Sequence, residues 1–73
     1  MNYFEWADEY YQNARTVLAM IERLKSEMND AKLTADMRKQ LADQILQYRR
    51  ILYEQREIGD ILYARAQRYA DEA

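Results

Sequence analysis

Apolar residues recur along almost the whole chain in steps that alternate between three and four. In the first half the series is Tyr3, Ala7, Tyr10, Ala14, Val17, Ile21, Leu24, Met28 and Ala31. In the second it is Leu41, Ile45, Tyr48, Leu52, then Gln55 and Gly59, then Leu62, Ala66 and Tyr69. A half-buried strand would alternate every two residues. This spacing is instead the seam of a helix packed lengthwise on another helix.

The periodicity fails over Asn29-Asp30-Ala31-Lys32-Leu33-Thr34. It predicts one helix over about 3–29, a turn at 30–34 and a second helix over about 35–70, roughly 40 and 54 Å long at 1.5 Å per residue. Asn2 is the expected N-cap of the first helix, with Glu5 three positions on in a capping-box pattern and Glu5, Asp8 and Glu9 near the positive end of the dipole. Asn29 can close that helix in the left-handed conformation. Thr34 is the expected N-cap of the second, with Asp36 in its first turn. Asp71 and Glu72 lie at the unfavourable end of the dipole, so the last turn is expected to fray.

A short break between two long amphipathic helices favours an antiparallel hairpin. Folding back about the turn sets Leu24 opposite Leu41, Ile21 opposite Ile45, Val17 opposite Tyr48 and Ala14 opposite Leu52. Further out Tyr10 meets Gln55, Ala7 meets Gly59 and Tyr3 meets Leu62, so large residues face small or medium ones, as close packing requires. The expected fold is all-α: one domain over residues 1–73, a coiled-coil-like antiparallel two-helix hairpin.

Composition adds the question of stability. A chain of 73 residues buries only about 60% of its unfolded surface and is marginal alone. With no Cys and no His it lacks disulfides, thiolate ligands, the commonest zinc ligand and the commonest acid–base group. Oligomerisation is the remaining source of stability. There is no Pro, only one Gly, and an abundance of helix-favouring residues.

Net charge is −2, no electrostatic bias toward nucleic acid or anionic membrane. Residues 1–30 carry six acids and three bases, a net of −3, and residues 31–73 carry seven acids and eight bases, a net of +1. Arg23/Glu27, Lys39/Asp43, Arg50/Glu54 and Arg56/Asp60 are spaced for ion pairs worth about 0.2–0.5 kcal/mol each. No apolar stretch approaches the roughly 20 residues of a membrane span, and the acidic N-terminal turns carry the wrong charge for a signal peptide. These features predict a soluble, cytoplasmic chain.

The apolar content exceeds what one seam can hold. Phe4, Tyr11 and Leu18 flank the first helix's seam on one side, Trp6 and Met20 on the other. On the second helix Ile51 and Ile58 flank the seam, with Leu46, Tyr53 and Ile61 further round and Tyr63 near the aromatic end. Phe4, Trp6, Tyr11, Leu18, Met20, Ile51, Ile58 and Tyr63 are therefore the candidate interface, since apolar strips and aromatic rings mark contact surfaces. A second copy is the simplest occupant, giving a homodimer that closes as a four-helix bundle.

Gln55 and Gly59 interrupt the seam one turn apart. Gly in a helix interior costs about 1 kcal/mol relative to Ala. Its presence predicts close helix approach at Ala7 and Gly59, beside Trp6 and Tyr10, with Gln55 hydrogen-bonding the Tyr10 hydroxyl.

Two other functions are weaker on the residues. Arg49, Arg50, Arg56, Arg65 and Arg68 give a superficial nucleic-acid face, but Asp43, Glu54, Glu57 and Asp60 interleave with them and no recognition motif is present. Catalysis has one Ser, Ser26, with no His to activate it, and a bundle di-iron site would want Glu-x-x-His repeats. No enzyme, metal or cofactor is expected. The size and doubled amphipathic pattern resemble those of many small bacterial and phage helical proteins. That resemblance implies, as an alternative, an accessory or inhibitor protein that binds a larger host protein. The secreted hairpins with Trp-x-Gly in the turn do not fit, because Trp6 is near the N-terminus and the turn has no Gly. The small sporulation phosphatases carry a Ser-Gln-Glu-Leu-Asp motif that this chain lacks, although Leu41-Ala42-Asp43 followed by Tyr48 loosely resembles it.

Overall fold

A computed structural model describes the backbone over residues 2–72 and side chains over residues 2–70. It is an antiparallel hairpin of two helices, α1 (Tyr3–Met28) and α2 (Ala35–Glu72). α2 runs two residues beyond the expected Ala70, and the side chains of Asp71 and Glu72, on which the fraying expectation rested, lie outside the described residues.

Both helix starts follow the residues that predicted them. Asn2 is in extended conformation and its Oδ1 accepts from the Glu5 N–H at 2.8 Å. The Thr34 hydroxyl accepts from the Met37 N–H at 3.1 Å. Each satisfies a donor that the first turn of a helix leaves free.

The end of α1 is closed differently from the expectation. Asn29 stays right-handed, at φ −81° and ψ −5°, and no described residue takes a positive φ. Here Arg38 does the work of a left-handed cap. Its guanidinium reaches back from α2 and donates to the Met28 carbonyl at 3.0 Å and the Asp30 carbonyl at 3.2 Å. With the last carbonyl of α1, that of Met28, satisfied from α2, the backbone has no need to double back through a left-handed residue. Asp30 shapes the rest of the turn, accepting from the Lys32 N–H on its side chain and the Leu33 N–H on its carbonyl.

The seam holds the core. Ala14, Ile21, Ile45 and Leu52 are buried together, with Val17, Leu24, Met28 and Tyr48 half-buried against them. Toward the open end the buried residues are Ala7, Leu62, Ala66 and Gly59. The hairpin measures 59 × 15 × 14 Å with a radius of gyration of 17.0 Å, against about 11 Å for a compact chain of this length. None of the four helix-spaced ion pairs closes. Among the described residues the ion pair within 4 Å is Glu22–Lys25, at 3.7 Å. No described helix is long and apolar enough to cross a membrane.

Candidate interaction surface

Cross-helix contacts assign the flanking residues to faces. Phe4 meets Tyr63 edge-on, with ring centroids 5.4 Å apart. The Tyr11 hydroxyl donates to Asp60 Oδ1 at 2.6 Å. Because residues seven apart share a helix face, the stripe Phe4–Tyr11–Leu18 borders the stripe Arg49–Arg56–Tyr63. On the opposite side Asn13 Nδ2 donates to Gln55 Oε1 at 3.3 Å. Asn13 also lines a shallow recess of about 310 Å³ with Val17 and Ile51. The stripe Trp6–Asn13–Met20 therefore borders the stripe Gln44–Ile51–Ile58.

The eight candidate residues thus do not form one surface. Trp6, Met20, Ile51 and Ile58 lie on one face; Phe4, Tyr11, Leu18 and Tyr63 lie on the other. The two faces differ in chemistry. The Trp6 face carries no charge in its inner stripes between Trp6 and Met20 or between Gln44 and Ile58, and Trp6, Ile51 and Ile58 are 43%, 40% and 38% exposed. The Phe4 face has Arg49 and Arg56 in its inner stripe, with Leu46 and Tyr53 exposed further round. The arginines of α2 are spread over both faces: Arg65 continues the Ile51–Ile58 stripe, while Arg49 and Arg56 precede Tyr63.

Tyr11 is engaged within the hairpin. Its ring lies across Gly59, where an added Cβ would stand 2.8 Å from Tyr11 Cε1. What lies against Gly59 is the Tyr11 side chain rather than Trp6 or Tyr10. Ala7 is buried and Gln55 half-buried, and Gln55 pairs with Asn13, not with the Tyr10 hydroxyl. The Tyr11 phenol is pushed up to about 12, first by its hydrogen bond to Asp60, then by partial burial and the carboxylate's charge.

Tyr3 also departs from its expected level opposite Leu62. Its ring stacks on Tyr69 at 5.5 Å and on Trp6 at 6.0 Å. One cause explains these shifts. Side chains lean toward their own helix N-terminus, so α1 residues reach toward the open end while α2 residues reach toward the turn. Long rings therefore meet partners later in α2 than an alignment of Cα positions implies. The aromatic end opens into a cavity of about 700 Å³ lined by Tyr3, Phe4, Trp6 and Tyr69 among others.

Comparison with protein-family models, curated proteins and solved structures returns no match to this chain.

Proposed function

We propose that this chain is a non-enzymatic interaction module whose partner is a second copy of itself. The two hairpins pair through the Trp6–Met20/Ile51–Ile58 face into a four-helix bundle. The observation that carries this reading is an excess of surface. The hairpin exposes 5812 Å², whereas a compact monomer of its 8.9 kDa mass exposes roughly 4,800 Å². The excess, about 1,000 Å², is close to the roughly 800 Å² that each partner contributes to a standard stable interface. The Trp6 face is the one whose inner stripes carry no charge as far as Met20 and Ile58, whereas burial of the other would enclose Arg49 and Arg56, and an unpaired buried charge costs several kcal/mol.

Light scattering after size exclusion tests the proposal. A mass of twice the chain's 8.9 kDa is expected. Ile51→Glu or Ile58→Glu should yield a monomer, while Leu18→Glu on the opposite face should leave the dimer intact. A wild-type helical monomer with a sharp melt at high concentration overturns the reading.

A second reading draws on the other face. Phe4, Tyr63, Tyr53 and Leu46 with Arg49 and Arg56 offer an aromatic and basic surface that a dimer built on the Trp6 face leaves open. That surface suits an accessory or inhibitory role toward a larger protein.

A further inference from the structure

The apolar face has a polar centre. The Asn13–Gln55 amide pair, at 3.3 Å, sits midway along it: Trp6 and Met20 each lie seven residues from Asn13, and Ile51 and Ile58 bracket Gln55. Beside the pair is the recess of about 310 Å³ that Asn13, Val17 and Ile51 line. We infer that these two amides mark the dyad of the self-associated form, where four amide side chains meet and fix its register. This rests on the self-association proposed above.

The argument is one of symmetry. Two identical faces pressed together are related by a two-fold axis lying in the plane between them. That axis runs either along the helices or across them. If the apolar residues are to cover each other, either axis passes through the middle of the strip. An axis across the helices sets Asn13 on Asn13 and Gln55 on Gln55. An axis along them sets each Asn13 on the other copy's Gln55. Both choices bring two donors and two acceptors per copy to the same place, and both leave Trp6 and the isoleucines on apolar neighbours. Any slip along the strip moves an amide against Trp6, Met20 or an isoleucine, so that beyond the Asn13–Gln55 bond its remaining donors and acceptors are left dry and unpaired. A lone polar position in an apolar helix seam sets register and assembly size in this way, at some cost in affinity.

Sedimentation equilibrium of the full chain and four variants tests it, with circular dichroism verifying helicity. Asn13→Leu and Gln55→Leu should each weaken dimerisation about tenfold, because each strands a buried amide. The double variant should associate at least as tightly as wild type but spread into dimers and larger species. Asn13→Asp should weaken dimerisation strongly at neutral pH and regain it, relative to wild type, as the carboxyl protonates. A wild-type dimer whose dissociation constant moves less than twofold in all four variants overturns this inference alone, since the amides then stay in water. A monomeric wild type overturns the self-association reading and this inference with it.

Discussion

The turn-side half of the hairpin and its open end are held together by different means. Near the turn, Ile21, Ile45, Ala14 and Leu52 are buried in a dry aliphatic seam. At the open end Ala7, Gly59 and Ala66 line the seam with Leu62, and rings cover it: Tyr3 stacks on Tyr69, Phe4 abuts Tyr63, and Tyr11 lies across Gly59. The first half takes its stability from removing side chains from water. The second relies on the placement of half-exposed rings, and so leaves apolar surface for a partner. Strength and stickiness are thereby separated along one short molecule.

The sharpest way to break this contrast is at the seam. Ile21 is 2% exposed, so Ile21→Ala should cost about 2–5 kcal/mol in unfolding free energy, measured by denaturant titration at fixed protein concentration. At the open end, Gly59→Leu should cost about 1–3 kcal/mol through overpacking against the Tyr11 ring. Gly59→Ala should change stability by less than about 1 kcal/mol, because its helix-propensity gain offsets displacement of that ring. Equal melting temperatures for Leu and Ala would refute the tight seating of the Tyr11 ring on Gly59.

The smallest effect sharpens the comparison by pH. Tyr11 holds its proton more tightly folded, at about 12, than its ordinary value of 10. The stability from its bond to Asp60 is thus whole below pH 10, declines as pH climbs from there toward 12, and is gone above. Tyr11→Phe should cost about 0.5–1.5 kcal/mol at neutral pH and flatten that alkaline loss, followed as ellipticity against pH.

Legibility in the sequence divides along the same line. Asn2 and Thr34 announce their caps because a cap depends on one side chain and the next three residues. The turn-side seam is legible in its membership: Ala14, Ile21, Ile45 and Leu52 are buried together, as their spacing predicts. The open end is not, because where a ring lands depends on its length and its lean: Tyr11 reaches Gly59, which alignment set opposite Ala7, and Tyr3 reaches Tyr69, beyond its aligned Leu62. Spacing alone put Phe4, Tyr11 and Leu18 on one side of the α1 seam and Trp6 and Met20 on the other, but only contacts such as Asn13–Gln55 and Phe4–Tyr63 show which α2 residues share each side. The closure of α1 by Arg38, ten residues from Met28, has no local signature at all.

That arginine also bears on the order of events in folding. By gripping the backbone at the foot of α1, it ties the two segments together where the least chain entropy must be surrendered. Assembly of the hairpin is then expected to zip from the bend outward, and thermal opening to begin among the tyrosines at the far end and travel back.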